Sequence, residues 1–206
     1  FFASYFSNYE EYYYATKIYL KVVKEAEKAK DYEFMVIYNN VIGYFYVFLS
    51  DFEKAFKTIY ENIDLINKNN LKQYLSRNYM ILGYAYRDFG DLENAKLYFQ
   101  KSKDCSDDED IYEDESAAIN ELGNIESIIG NYEEALKYQL EALNLRIEAR
   151  DTSSLTYSYN DIAITYQYLG DIEKSIEYLN KSIEINKKAQ NSQILSANYC
   201  NISKSY

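Results

Sequence analysis

The apolar positions of this chain recur at helical spacing, in blocks divided by short polar turns. Ile81, Leu82, Ala85 and Tyr86 stand before one turn and Ala95, Leu97, Tyr98 and Phe99 after it, a pattern that gathers apolar side chains on one helix face. The blocks themselves repeat. Gly43, Gly83 and Gly123 lie 40 residues apart, with Ala163 and Ser203 continuing the phase; Gly90, Gly130 and Gly170 occupy a second phase that Ser50 opens. Self-similarity at such a period signals stacked supersecondary units.

The second phase begins a motif that reads four times: Ser50-Asp51-Phe52-Glu53-Lys54-Ala55, Gly90-Asp91-Leu92-Glu93-Asn94-Ala95, Gly130-Asn131-Tyr132-Glu133-Glu134-Ala135 and Gly170-Asp171-Ile172-Glu173-Lys174-Ser175. Gly or Ser ends one helix in a left-handed conformation, Asp or Asn caps the next, and a first-turn Glu suits the positive end of the helix dipole. Each period is therefore a helical hairpin. First helices are predicted near 32–48, 72–88, 113–128 and 153–168, and second helices near 12–29, 51–69, 91–103, 131–149 and 171–189, with a further first helix beginning at 192. The expected fold is all-α, a right-handed α–α superhelix (solenoid) of about five stacked hairpins. It forms a single domain over 1–206, with repeats at about 1–30, 31–70, 71–110, 111–150 and 151–190 and a half-repeat at 191–206. Because the chain opens on Phe1 and its last helix lacks a partner, a piece of a longer protein is expected.

Composition narrows the class. The absence of proline and the scarcity of glycine remove the punctuation an all-β chain needs. The longest apolar run, Val41 to Leu49, falls well short of the ~18 residues of a membrane span, and no basic-then-apolar stretch opens the chain, so no direct membrane contact is expected. A net charge of −11 without a basic stripe opposes binding to nucleic acid. Two cysteines, Cys105 and Cys200, have neither zinc nor disulfide-framework spacing, and a reducing cytoplasm is the expected compartment, a periplasmic sensor domain the alternative. With no histidine, no phosphate loop and no nucleophile elbow, no catalytic residue and no enzymatic activity are expected. The run Asp104 to Glu115, two thirds acidic, lacks EF-hand spacing and reads as a solvated loop, so neither metal nor cofactor is expected.

The small residue Gly83, Gly123 or Ala163 after Leu82, Leu122 or Ile162, the Tyr three positions on (Tyr46, Tyr86, Tyr166), the Gly-Asp/Asn turn and the small residue Ala55, Ala95, Ala135 or Ser175 together resemble the tetratricopeptide repeat consensus. Glu126 replaces that Tyr in one repeat, the closing proline is absent, and the period exceeds the family's usual length of about 34. The wording from Glu141 to Asp151 and from Tyr159 to Ala163 is similar to repeats of bacterial sensory proteins. That resemblance implies a protein- or peptide-binding sensory module of a larger bacterial signalling protein; alternatives are a structural adaptor or self-association module, stacking through residues 191–206, and a peptide-pheromone receptor.

In the family, ligands lie in a concave groove lined by first helices. Carried over by phase, the groove positions are Ile37, Asn40, Tyr44 and Val47; Arg77, Met80, Tyr84 and Arg87; Ala117, Asn120, Asn124 and Ser127; and Tyr157, Asn160, Ile164 and Gln167. Of these, Asn40, Tyr44, Arg77, Tyr84, Arg87, Asn120, Asn124, Tyr157, Asn160 and Gln167 are the expected peptide contacts. A carboxamide both donates to and accepts from a peptide backbone, which suits Asn40, Asn120 and Asn160 to an extended ligand; bridging between neighbouring helices is the other reading. The family's carboxylate clamp is incomplete here, and Glu121 and Asp161 share the expected groove. Most of the 26 tyrosines, such as Tyr98, Tyr138 and Tyr178, read as packing between helices.

Overall fold

A computed structural model of the chain describes residues 2–105 and 112–189. Among them are nine α-helices: α1 Phe2–Ala29, α2 Tyr32–Phe48, α3 Phe52–Asn69, α4 Leu75–Phe89, α5 Leu92–Asp104, α6 Tyr112–Ile128, α7 Tyr132–Glu148, α8 Thr152–Tyr168 and α9 Ile172–Ala189. A 3-10 turn, Lys72–Tyr74, leads into α4. The chain divides after Cys105 into two compact units. In the first, α1 packs on α2, and the hairpins α2–α3 and α4–α5 follow one another; in the second, α6–α7 and α8–α9 do the same.

The turns explain the hairpins. Gly90, Gly130 and Gly170 adopt φ of +96°, +89° and +80°, and Ser50 takes the same left-handed region at +55°. This bend lets the next residue reach back: Asp51, Asp91, Asn131 and Asp171 donate backbone N–H to the carbonyls of Tyr46, Tyr86, Glu126 and Tyr166 at 2.8–3.0 Å, closing Schellman-type helix ends. The side chains of Asp51, Asp91 and Asp171 then accept from the N–H groups of Lys54, Asn94 and Lys174. Asn131 differs. Its amide donates to the buried Glu126 Oε2 at 2.8 Å, and its side chain accepts no cap bond. The Tyr-to-Glu departure in that repeat thus redirects the capping residue.

Charged caps carry an acid dependence. The hydrogen bonds from Asn94 hold Asp91, and those from Lys174 hold Asp171, below the ordinary value of 3.8. Their stabilisation is present above that value and is lost as pH falls through the depressed folded value. Thermal melts of an Asp91→Asn/Asp171→Asn variant are expected to show a lower midpoint at neutral pH and a smaller acid-induced drop than wild type. Parallel wild-type and variant curves would remove the caps from the acid response.

Inside each hairpin, small residues let the helices approach. A Cβ on Gly83 would overlap the Phe99 ring, which fills the space against α4. In the first unit Val47, Ala55, Ile59, Ile81, Leu82 and Ala85 form a buried cluster. In the second, Ile119, Leu122, Ile125, Ile162 and Leu179 are fully buried. Polar stitches tie the helices of each hairpin together, and one, between Asn62 and Asn78, passes to the next hairpin. Ser76 and Ser102 exchange hydroxyl-to-carbonyl bonds at 3.1 and 2.9 Å, Ser182 Oγ donates to Thr156 O at 3.1 Å, and the buried Asn62 donates to Val36 O and Asn78 Oδ1.

Candidate ligand-binding faces

In the first unit, the first helices α2 and α4 carry the expected contacts at different depths. Tyr44 and Arg77 are exposed, while Asn40, Tyr84 and Arg87 are half-buried. Val47 and Met80, at groove phases, belong to the core instead. Tyr44 and Tyr84 meet edge-on with centroids 6.4 Å apart, and the Arg87 guanidinium lies 5.1 Å from the Tyr84 ring centre. Arg87 Nε also donates to Asp88 at 2.9 Å. Tyr44, Tyr84 and Arg87 are thereby brought together, an aromatic pair with a held cation. Asn40 places its Nδ2 where no protein atom accepts from it.

The second unit gathers a different set. Asn120 is 5% exposed and bridges α6 to α8, its Nδ2 donating to Asp161 Oδ2 at 2.9 Å; its Oδ1 is buried without a hydrogen-bond partner. Asn124 accepts from Gln139 Nε2 at 3.3 Å. Thr165 Oγ1 donates to Gln139 Oε1 at 2.7 Å and stands 3.2 Å from Ser127 Oγ. Burial pushes the Asp161 carboxyl above the usual range, against the pull of Asn120, the Arg146 charge and Asn124. Arg146 itself is buried and donates to Ser158 Oγ and Ser116 Oγ, tying α7 to α8 and α6. Tyr157, 59% exposed, and the half-buried Asn160 and Gln167 are spread along α8.

The repeat phases located these helix faces but did not single out Gln139, Thr165 or Arg146 as members of a network. A signal existed. Gln139 is polar where Ile59, Phe99 and Leu179 are apolar, and Asp161, like Glu121 one period before it, is acidic where Val41 and Ile81 are apolar. The hollow beside this network is lined by Asn124, Ser127, Gln139, Asp161, Ile164 and Thr165, with Ile128 and Tyr168 also contributing, and holds about 270 Å³. A larger one, about 720 Å³, lies away from every expected contact, between α1 and the turn into α3; there Lys17 stacks on Tyr13 and Lys54 pairs with Asp51.

Of the tyrosines expected to pack between helices, Tyr98 and Tyr178 do so. Tyr98 stacks on Tyr86 at 5.3 Å and Tyr178 on Tyr166 at 5.7 Å. The Tyr60 hydroxyl bonds those of Tyr86 and Tyr98, and its burial and these bonds push its ionisation upward. Among the described residues no group of three or more His, Cys, Asp or Glu could hold a metal, and no helix is long and apolar enough to cross a membrane. Half of the acidic run from Asp104 to Glu115, residues 106–111, and the whole half-repeat 191–206 lie outside the described residues.

Consecutive helical hairpins closed by left-handed turns, with small residues at the close approaches, define an α–α repeat protein. Residues 76–104 and 114–188 both match the tetratricopeptide repeat. The chain belongs to the tetratricopeptide repeat family. No curated protein matches it in sequence. Among solved structures, it is similar to BtubC from P. vanneervenii, with a TM-score of 0.77 and 18% identity over 93% of this chain and 81% of that one. It is similar to a Signal Transduction ATPase with Numerous Domains from Pyrococcus horikoshii that carries a tetratricopeptide repeat sensor, with a TM-score of 0.79 and 23% identity over 91% of this chain and 29% of that one. A third is a Rap protein complexed with Competence and Sporulation Factor, with a TM-score of 0.68 and 14% identity over 96% of this chain and 59% of that one. The chain thus spans less than two thirds of the latter two proteins. At these identities the likeness establishes the fold, an all-α repeat solenoid.

Proposed function

We propose that this chain is a protein- or peptide-binding repeat domain that serves, in the cytoplasm, as the sensory or regulatory module of a larger bacterial signalling protein. The observation that carries the reading is the meeting of Tyr44, Tyr84 and Arg87 on consecutive first helices. Tyr and Arg are the residue types over-represented among energetic anchors of protein interfaces, because each joins large contact area to a directed polar tip. The complexed Rap protein and the sensor-bearing ATPase support the same reading by analogy of fold.

Selection of a displayed random-peptide library on the immobilised domain tests it. Enriched peptides are expected to bind wild type and to lose at least about tenfold in affinity to a Tyr44→Ala/Arg87→Ala variant of unchanged circular dichroism. Peptides that bind both proteins equally, or no enrichment at all, would overturn the proposal. The signalling context is tested by the surrounding reading frame. An output domain there supports it, whereas a frame adding only repeats and a capping helix returns the structural-adaptor reading.

A further inference from the structure

Asp161 stands at a phase where the first unit has Val41 and Ile81, so the second unit exchanges an apolar contact for a carboxylate. A carboxylate removed from water is costly unless hydrogen bonds and opposite charge meet it. The Asn120 carboxamide meets it here, donating to Oδ2 at 2.9 Å, and Asn124 lines the hollow beside it. A carboxylate offers about four acceptor sites, so this donor leaves room for more. Asp161 also lines the small hollow, in company with Ser127 and Thr165, whose hydroxyl oxygens are 3.2 Å apart. Thr165 has one proton for two acceptors in reach, Gln139 Oε1 at 2.7 Å and the Asp161 carbonyl at 3.1 Å; with it spent on either, the hydroxyl oxygen is left to accept. Ile164 lines the same space, and Ile128 and Tyr168, 59% and 63% exposed, form its outer wall.

We infer that this hollow in the second unit binds a primary ammonium group of the ligand, held by the Asp161 carboxylate and the Ser127 and Thr165 hydroxyls. An ammonium presents three donors that diverge from one atom, and one carboxylate with two hydroxyls supplies three acceptors, Asp161 and Thr165 from α8 and Ser127 from α6. A guanidinium prefers a carboxylate with both oxygens open to its planar fork, and here Asp161 Oδ2 already accepts from Asn120. Ile164, Ile128 and Tyr168 provide apolar surface for the carbon stem behind the charge. The volume of about 270 Å³ suits one amino-acid-sized group rather than a long segment. Two sources share this chemistry, a lysine side chain and a peptide amino terminus. The inference rests on the peptide-binding reading and assigns it a charge preference.

The test is a titration of the ¹⁵N-labelled chain, following the Asn124 and Gln139 side-chain amides, with four small probes. N-acetyl-lysine methylamide carries only the side-chain ammonium and norleucine methylamide only the α-ammonium; N-acetyl-norleucine methylamide carries neither, and N-acetyl-arginine methylamide carries a guanidinium. One ammonium probe is expected to bind at least about tenfold more tightly than the neutral and guanidinium probes. The winner identifies the source. Asp161→Asn is expected to erase that preference, and Ile128→Trp, at the exposed rim, to block entry without disturbing the core. Equal binding of the neutral probe, preference for the guanidinium, or a preference that survives Asp161→Asn would overturn the inference. So would the absence of any probe-induced shift in wild type. If the ammonium preference is missing while library-selected peptides still depend on Tyr44 and Arg87, this site falls and the peptide-binding reading stands.

Discussion

Phe99→Ala is expected to lower the stability of the first unit by about 3–5 kcal/mol, the range for removing a fully buried aromatic ring. Phe99 has no accessible surface, and its ring lies edge-on to Tyr84 with centroids 5.4 Å apart. The cost is large because the cavity cannot close easily. The wall opposite the ring is Gly83 on α4, which has no side chain to move into the space. Leu82 and Ala85, its buried neighbours on α4, are already packed in the same core. Urea unfolding followed by circular dichroism checks the expectation, with the transition of the first unit shifting to lower denaturant. A loss under about 1 kcal/mol would mean that the helices draw together and heal the cavity. Because Tyr84 leans on Phe99, the same substitution is expected to weaken any ligand that uses the Tyr44, Tyr84 and Arg87 face.

The helices were legible because turn chemistry and apolar spacing agree at each boundary. The predicted span 32–48 is α2 itself, and 171–189 differs from α9 by one residue. Disagreement arises where neither signal acts. α1 runs back to Phe2 rather than starting near 12, since Tyr-rich sequence without Gly or Pro contains nothing to stop a helix. Lys72–Tyr74 form a 3-10 turn, because Leu71 supplies no side-chain cap. The candidate faces were legible only as directions. Phase says which way a residue points from its helix, but depth depends on what the neighbouring helix places opposite, and that comes from distant sequence. Met80 and Val47 sink into the core, while Asn120 is held by Asp161, on the following first helix. Substitution of polar for apolar residues at a fixed phase, as at Gln139 and Asp161, carries the missing information, although only the fold reveals that they meet.

Arg146→Met is expected to destabilise the second unit by about 3 kcal/mol at neutral pH, the lower end of what breaking a buried charged network costs. The guanidinium is 6% exposed, donates to Ser158 and Ser116, and lends positive charge to Asp161. Burial already holds the Asp161 carboxyl above its ordinary 3.8, so its ionisation opposes folding as pH rises through the folded value, and the favourable balance lies below 3.8. Removing Arg146 raises the folded value further, which widens the pH window over which that opposition grows. The loss caused by Arg146→Met should therefore increase from acid toward neutral pH. In an Asp161→Asn background the carboxylate is gone, and the loss should shrink to that of the serine bonds and become flat with pH. Denaturant melts of the four proteins of this cycle, at acid and neutral pH, measure the coupling, expected at about 1–3 kcal/mol and confined to the higher pH. Additive effects at both pH values would show that Arg146 acts through its serine partners alone. The charge balance around the proposed ammonium site would then have to come from the ligand.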